Sequence, residues 1–274
     1  MVACAGRTLS YVQSIRSARP VVACITNSVT SEFVANSLLA LGASPIMYQD
    51  PRETTDIVSQ SQALYVNIGT INESLFELTH QAATTARELQ KPVVLDPVGA
   101  GFTRTRTEIA QQLIAFSSII RGNADEIAAI IGTPPSNLIK KGVDSSHQNI
   151  DNLMELISSF SQKNSLTVVV TGRDDYVISG EGVSRLSFGD PVMGSVTGMG
   201  CALSSLISAF CTVSKNYAEA AHDATAYFSI CGQYAARKSG LPGSFKYHFL
   251  DTISSISETE MLSCWDGHVV LHKP

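Results

Sequence analysis

A glycine-rich turn ahead of an apolar helical pattern is the strongest chemical signal in the sequence. The turn is Thr197-Gly198-Met199-Gly200-Cys201, and the residues that follow, to Phe210, have the spacing of a buried helix. Glycines before a helix let backbone N–H groups approach an anion, and the helix dipole favours negative charge there. The turn therefore predicts a phosphate site, with a tight turn that binds nothing as the alternative.

Two common nucleotide-binding motifs are excluded at this turn. A Walker loop needs Gly-Lys-Ser or Gly-Lys-Thr, and neither occurs in the chain. A dinucleotide-binding fingerprint needs a third glycine at the position of Leu203. A nucleotide at this turn must therefore be held by a different motif.

Cys201 falls in the first turn of the predicted helix. The helix dipole there can lower a thiol pKa from its ordinary value of about 8.5, which favours a reactive thiolate. The alternative is a buried cysteine that packs under the turn. No histidine close in sequence supports a cysteine hydrolase, so the residues alone leave both interpretations open.

Carboxylates lie where two predicted strands end. Asp96 closes one strand, and Arg121, Asp125 and Glu126 follow the next one. Carboxylates at strand ends suit a Mg²⁺–phosphate complex in which water supplies most of the metal ligands. A structural role is the alternative for each acid taken alone: Asp125 and Glu126 could complement a helix dipole, and Asp96 could cap a turn.

Several other polar or soft side chains have a structural role as their default interpretation. Asn27 and Asn67 lie at strand ends and could be turn formers. Met47 ends a short apolar run and is expected to fill the core. His222 is expected to be a structural histidine on a helix, and no role is predicted for Trp265.

Short β-branched runs alternate with helical patterns over the first two thirds of the chain. The runs end in polar residues, and Thr30 and Ser31 are expected to cap the first helix after them. The predicted strands are 21–25, 63–68, 92–96, 119–120 and 166–170, and the clearest helical patterns are 33–41, 74–90 and 106–115. The alternation predicts an α/β fold with a mostly parallel sheet covered by helices on both faces. Ligands bind beyond the carboxyl ends of such strands, where these polar residues lie.

The pattern changes after Thr171. Two short runs around a Ser-Gly-Glu-Gly turn at 179–182 predict a hairpin, and two long helical patterns follow from Met199 to about Arg237. Residues 144–150 are expected to be a surface loop, and the tail after Glu258 a terminal appendage. No linker or repeat divides the chain, so we expect one domain over residues 1–274.

Composition narrows the class of protein further. The 274 residues are 44% apolar with a net charge of −5, and no run of Lys or Arg suggests a nucleic acid partner. No apolar stretch approaches the roughly 18 residues of a membrane span, and Arg7 interrupts any signal-peptide core, so a cytoplasmic protein is expected. The six cysteines contain no close pair typical of a zinc or redox site, and most are expected to be core residues.

Taken together, these segments resemble the hydroxyethylthiazole kinase family, the thiamine-salvage branch of the ribokinase-like superfamily. The resemblance covers nearly the whole chain, and Cys201 distinguishes this branch because most of the superfamily has aspartate there. The matching segments are Ile25-Thr26-Asn27, Ala35 to Pro45, Asn67-Ile68-Gly69-Thr70, Val94 to Gly101, Ile120 to Asn123, Val170-Thr171-Gly172, Thr197 to Cys201 and Phe249-Leu250-Asp251.

The resemblance implies a ribokinase-like fold and an enzyme that uses ATP and Mg²⁺. Its reaction would be phosphorylation of the primary hydroxyl of 4-methyl-5-(2-hydroxyethyl)thiazole, in a homotrimer whose substrate pockets lie between subunits. The alternatives are another small-alcohol kinase, such as one for hydroxymethylpyrimidine, a dehydratase on the same scaffold, and a non-catalytic nucleotide sensor.

The resemblance also implies roles for individual residues. Cys201 and Gly200 would be catalytic, and Met199 is a departure because many relatives have threonine there. Binding roles would fall to Arg121 and Thr171 for the nucleotide, to Met47, Gly198 and Asn27 for the thiazole, and to Asp96 and Glu126 for Mg²⁺ and its waters.

Overall fold

The apolar β-branched runs form the strands of a nine-stranded sheet. The computed structural model describes residues 2–133, 147–265 and 269–272, and the side chains of residues 5–133 and 153–265. The strands are β1 (Val21–Ile25), β2 (Ser44–Met47), β3 (Ala63–Asn67), β4 (Val93–Asp96), β5 (Ile119–Asn123), β6 (Thr167–Thr171), β7 (Asp175–Ser179), β8 (Gly182–Leu186) and β9 (Val269–His272). The α-helices are α1 (Val2–Ala18), α2 (Ser31–Leu41), α3 (Thr54–Gln60), α4 (Glu73–Glu88), α5 (Arg104–Leu113), α6 (Ala124–Ile130), α7 (His147–Asn164), α8 (Met199–Phe210), α9 (Tyr217–Ala236), α10 (Pro242–Ser255) and α11 (Glu258–Trp265).

The sheet is mostly parallel, as the sequence predicts. Its strand order is β2-β1-β3-β4-β5-β6-β7-β8-β9. The pairs from β2 to β6 are parallel, and those from β6 to β9 are antiparallel. The predicted hairpin is therefore confirmed as β7 and β8.

Helices cover both faces of the sheet, which confirms the predicted α/β architecture. Side chains alternate along each strand, so Tyr65 of β3 faces a core with α1, α2 and α8 to α11. Its neighbours Leu64 and Val66 face a second core with α3 to α7. The glycine turn enters α8 on the first face, where α8 packs against β1, β3 and β4.

Two expectations about irregular segments are wrong. Residues 144–146 lie outside the described residues, but 147–150 begin α7 instead of forming a surface loop. The tail after Glu258 forms α11 and then β9, which pairs with β8. In both segments a few apolar residues, spaced by one helical turn and hidden among polar ones, supply the buried face: Leu153 and Ile157 in α7, and Met261, Cys264 and Trp265 in α11.

The cysteines behave as the small core residues that the sequence predicts. Those whose side chains are described are free and buried: Cys24, Cys201, Cys211, Cys231 and Cys264. Among the described helices, none has both the length and the hydrophobicity needed to cross a lipid bilayer.

Candidate active site

Two asparagines at strand ends converge on the cysteine of the glycine turn. Asn27 follows β1 and Asn67 ends β3, and both are buried. The Nδ2 of Asn27 donates to the Oδ1 of Asn67 at 3.0 Å and to the Sγ of Cys201 at 3.5 Å. The Nδ2 of Asn67 donates to the same sulfur at 3.2 Å. The sulfur of Cys201 therefore accepts two amide hydrogen bonds.

The same asparagines also shape their local turns. The Oδ1 of Asn27 accepts the backbone N–H groups of Val29 and Thr30, at 3.1 and 3.0 Å, just before α2. Thr30 occupies the N-cap position of α2 but makes no side-chain capping bond, so the prediction of a Thr30 cap is wrong. The Oδ1 of Asn67 accepts the N–H of Gly69 at 2.9 Å. Turn formation thus fixes the direction in which each amide group points.

Asp96 is fully buried at the end of β4 and is held through one oxygen. Its Oδ2 accepts hydrogen bonds from Asn67 and Ser204, both at 3.0 Å, and from the hydroxyl of Tyr65 at 3.5 Å. Its Oδ1 accepts none and lies 3.8 Å from Nη1 of Arg121. Burial raises the pKa of Asp96 to about 6, although the Arg121 charge opposes that shift.

Arg121 lies across the first turn of α8. Its Nη2 donates to the hydroxyl of Thr171 at the end of β6. A Cβ atom on Gly200 would lie only 2.2 Å from Nη1 of Arg121. The absence of a side chain at Gly200 therefore lets the guanidinium approach the helix terminus.

Gly198 is required for a different reason. It is the N-cap of α8 and has a φ of 94°, a left-handed conformation that residues with a Cβ rarely adopt. A Cβ atom there would also lie 3.0 Å from the methyl group of Thr30. Gly198 thus allows the backbone conformation of the turn, and Gly200 leaves room for the guanidinium of Arg121.

Burial decides the state of the Cys201 thiol. The residue is 8% exposed, and burial raises the pKa of its thiol, with the negative charge of Asp96 acting in the same direction. Of the two interpretations that the sequence leaves open, the structure favours the buried cysteine, because desolvation raises the pKa of its thiol. Cys201 holds its proton more tightly than a free cysteine does.

Glu126 caps α6 and anchors the loop after β4. Its Oε2 accepts the N–H of Asn123 while the Oδ1 of Asn123 accepts the N–H of Glu126, which forms a capping box. Its Oε1 accepts the N–H of Gly99 at 2.9 Å. Glu126 thus has a structural role at the start of α6, and its link with Mg²⁺ stays a prediction.

A cavity of about 730 Å³ opens beside the glycine turn, large enough for a small-molecule ligand. Arg121, Thr171 and Gly200 contribute to its wall, so the structure brings together the two predicted nucleotide contacts and one predicted catalytic residue. Charged groups also line it, Asp175 among them, and burial raises the pKa of Asp175 to about 6. The apolar part of the wall comprises Phe188, Pro191, Met193, Met199, Leu203 and Phe228.

Met47 lies apart from this cavity, at the end of the edge strand β2. It is 37% exposed, so the expectation that it fills the core is wrong. Ile46 beside it and Leu39 on α2 are exposed as well. An apolar side chain at a sheet edge is available for contact with another molecule.

His222 has the structural role that the sequence predicts. Its Nδ1 lies 2.8 Å from a carboxylate oxygen of Asp223, which is fully buried. Two nitrogens of Arg7 bind the same carboxylate at 2.7 and 3.0 Å, so this cluster joins α1 to α9.

The sequence predicts only a turn for Asn67 and gives no role to two other side chains of the buried network, Tyr65 and Ser204. Each has a positional signal. Tyr65 precedes Asn67 by two residues, which places both on one face of β3, and Ser204 follows Cys201 by three, about one helical turn. These spacings identify neighbours only once a first site residue is known.

A parallel sheet, a glycine turn opening a helix at its carboxyl edge and an arginine-bearing cavity are the features of a ribokinase-like kinase. A ribokinase-like superfamily protein from Enterococcus faecalis V583 has the same fold, with a TM-score of 0.62 at 14% identity over 85% of this chain and 86% of that one. Residues 12–259 match the model of the Hydroxyethylthiazole kinase family. The chain belongs to this family.

Individual relatives support the assignment. The chain is 39% identical to a hydroxyethylthiazole kinase from Syntrophus aciditrophicus, over 93% of this chain and 94% of the relative. It is 36% identical to one from Chlamydia felis, over 88% and 92% of the two chains. The structure of the Pyrococcus horikoshii OT3 hydroxyethylthiazole kinase superposes with a TM-score of 0.86 at 30% identity, covering 98% of this chain and 99% of that one. The predicted family is therefore confirmed.

Proposed function

We propose that this protein transfers the γ-phosphoryl group of ATP to the primary hydroxyl of 4-methyl-5-(2-hydroxyethyl)thiazole, as a step of thiamine salvage. The observation that carries the proposal is the meeting of Arg121, Thr171 and Gly200 in one cavity wall, next to the buried network around Cys201. The relatives named above are hydroxyethylthiazole kinases, which points to the thiazole alcohol as acceptor.

Positioning and charge neutralisation supply most of the catalysis in phosphoryl transfer. Arg121 and Thr171 contact the polyphosphate, and the amides from Gly198 to Cys201 receive the charge that develops on the transferred group. Because Arg121 already lies over Gly200, its guanidinium is close to the helix terminus where the phosphoryl group arrives.

Cys201 assists removal of the alcohol proton. Burial raises the pKa of its thiol, so only a minority of molecules hold the thiolate near neutral pH. The amides of Asn27 and Asn67 stabilise that form by donating to the sulfur. A loose transition state needs little deprotonation before the new bond forms, so a scarce but strong base is sufficient.

The donor set around Asp96 fits a hydrated Mg²⁺ ion. The Oδ1 of Asp96 is buried and accepts no hydrogen bond, which leaves one carboxylate oxygen for a cation or its water. Asp96 and Glu126 would hold the ion and its waters, and a bound Mg²⁺ neutralises charge on the phosphates. Glu126 also accepts the N–H of Gly99 in the loop after β4, the strand that ends at Asp96. This hydrogen bond links the backbone segments that carry the two carboxylates.

The thiazole pocket is completed by a neighbouring subunit of a homotrimer. Asn27 is buried beside Cys201 and Gly198 precedes α8, whereas Met47 is exposed at the sheet edge. An apolar thioether suits a neutral, sulfur-containing ring. Association of subunits through the β2 edge would cover Met47 and bring it to a partner's site.

A coupled ADP-release assay over thiazole, pyrimidine and sugar alcohols tests the proposal. We expect ADP release that depends on the thiazole alcohol and on Mg²⁺. A preference for the pyrimidine alcohol would favour the hydroxymethylpyrimidine kinase alternative. ATP binding without ADP release for any alcohol would favour the non-catalytic sensor.

A further inference from the structure

The lone tryptophan of the chain lies behind one wall of the cavity. Trp265 is the last residue of α11 and is 2% exposed. Its ring centroid is 5.5 Å from that of Phe188, with an angle of 50° between the ring planes. Phe188 lines the cavity that contains Arg121 and Thr171. An aromatic contact thus joins the C-terminal helix to the cavity wall.

Strand β9 supports the same wall from its side. It pairs antiparallel with β8, and Val269 lies opposite Leu186, the last residue of β8. The residues directly after Leu186, from Ser187 to Pro191, all line the cavity. Strand β9 thus contacts Leu186, directly before this part of the cavity wall, and α11 contacts the ring of Phe188 within it.

These contacts come from residues beyond the family match, which ends at residue 259. The helix α11 continues to Trp265, and β9 ends at His272. The described packing thus connects the end of the chain to a site whose other residues all lie within the matched region.

We propose that Trp265 is a positioning residue for the nucleotide, acting through Phe188. The indole fills the space behind the Phe188 ring and fixes that ring as a flat apolar surface for the base of ATP. Without the indole, the ring can turn into the space left behind, and ordering it again on binding costs affinity. This inference rests on the proposed function, because it assigns the cavity to ATP.

Steady-state kinetics of three variants test the inference. Trp265→Ala should raise the KM for ATP about tenfold and leave the KM for the thiazole unchanged. Trp265→Phe keeps an aromatic ring behind Phe188 and should hold the KM for ATP within about twofold of the parent. Phe188→Leu removes the proposed aromatic surface from the cavity side, so it should also raise the KM for ATP about tenfold. It therefore tests the inference even where Trp265→Ala folds poorly.

Phe210→Leu is the matched control for a general loss of aromatic packing. Phe210 is fully buried at the opposite end of α8 and packs on Tyr227 with ring centroids 6.2 Å apart. This variant should lower the unfolding temperature without changing the KM for ATP. An equal rise in the KM for ATP in Phe210→Leu would overturn a specific role for Trp265.

Tryptophan fluorescence gives a readout that needs no turnover. Because Trp265 is the only tryptophan, titration with ADP should change its emission saturably, at the dissociation constant that calorimetry gives. The thiazole alcohol alone should leave the emission unchanged. Calorimetric ADP binding with no change in emission, or normal ATP kinetics in both Trp265→Ala and Phe188→Leu, would overturn the inference.

Arg121→Ala separates this inference from the proposed function. If Arg121→Ala weakens ADP binding while the Trp265 and Phe188 variants do not, the positioning role is wrong and the nucleotide site stands. If neither the parent nor any variant binds ADP, both are wrong.

Discussion

At Cys201, burial and hydrogen bonding act on the thiol in opposite directions. Burial raises the pKa of the thiol, and the Nδ2 atoms of Asn27 and Asn67 donate to its sulfur at 3.5 and 3.2 Å. Desolvation prevails in the shift, so the residue is a protonated thiol that becomes a strong base when it ionises. We expect a group of this kind to assist proton removal without being indispensable.

Replacement of Cys201 should therefore have graded effects. Cys201→Ala should retain measurable turnover, since the turn amides and Arg121 remain. Cys201→Asp should equal or exceed the parent, because a carboxylate ionises far more readily than a thiol where burial raises the pKa of either group. Measurement of kcat for both variants at saturating substrates checks this expectation. Complete loss in Cys201→Ala with ATP binding intact would mean that the thiol is essential. A folded Cys201→Asp far less active than Cys201→Ala would mean that repulsion of the phosphate dominates.

The buried carboxyl of Asp96 should make the fold less stable as pH rises. Its folded-state pKa of about 6 exceeds the ordinary value of 3.8, so the folded state binds the proton more tightly than the unfolded state does. That contribution to stability is present below pH 3.8 and is lost as pH rises through 6. The site thus retains an anion at a cost in folding free energy.

Asp96→Asn should consequently gain stability while it loses activity. A shift from 3.8 to about 6 corresponds to about 3 kcal/mol at pH 8, and the gain should shrink towards pH 5. Urea unfolding of parent and variant at both pH values measures the difference, and kcat should fall. A variant less stable than the parent at pH 8, or an equal difference at both pH values, would contradict the assigned pKa shift.

At the scale of elements, the two glycines of the α8 turn have separable functions. Gly198 has a φ of 94°, which favours glycine. At Gly200, the guanidinium of Arg121 occupies the space that a Cβ atom would need. Alanine is a better helix residue than glycine in the first turn of α8, so only the position of Arg121 opposes it at Gly200.

Gly200→Ala should therefore lose activity with a smaller loss of stability than Gly198→Ala. Its methyl group displaces Arg121, so we expect a rise of at least about tenfold in the KM for ATP. Gly198→Ala is the matched comparison, because backbone strain and contact with Thr30 should lower its unfolding temperature. Thermal unfolding and ATP kinetics of the pair distinguish the two roles. Normal ATP kinetics in Gly200→Ala would show that Arg121 does not need its observed position.

Several strands that the sequence predicts correctly have a pattern that reflects complete burial. Strands such as β3 and β6 are short, continuous apolar runs, because a parallel strand is covered on both faces. The start of α7 and the helix α11 escape prediction because only one narrow face of each is apolar. Their burial depends on partners far away in the sequence, such as Phe188 for Trp265.

The sequence predicts which types of residue form the site, but it does not predict the hydrogen bonds between them. The polar ends of β1, β4 and β6 identify Asn27, Asp96 and Thr171 as candidates from sequence alone. The bonds between them depend on strand register, which places Asn67 beside Asp96, and on the packing of α8 against the sheet. The desolvation that raises the pKa of Cys201 is likewise a property of the folded environment.

At the scale of the whole molecule, the β2 edge should form the contact between subunits. Met47→Asp places a charge among the exposed apolar residues there, so it should weaken association and raise the KM for the thiazole at least about tenfold. Sedimentation velocity and thiazole kinetics on the same samples check this expectation. The KM for ATP should change little, since Met47 lies apart from the cavity. A trimeric Met47→Asp variant with unchanged thiazole kinetics would remove Met47 from both roles.

In the proposed reaction, the γ-phosphoryl group of ATP reaches the thiazole hydroxyl in the site beside Cys201. The most direct measurement follows ATP labelled in its γ-phosphoryl group and identifies the labelled product by mass spectrometry, for the parent and for Arg121→Ala. The account predicts labelled thiazole monophosphate from the parent, in amounts equal to the ADP formed, and a loss of at least about tenfold in kcat/KM for ATP in the variant. Label that appears only in inorganic phosphate, or an Arg121→Ala variant as active as the parent, would contradict it.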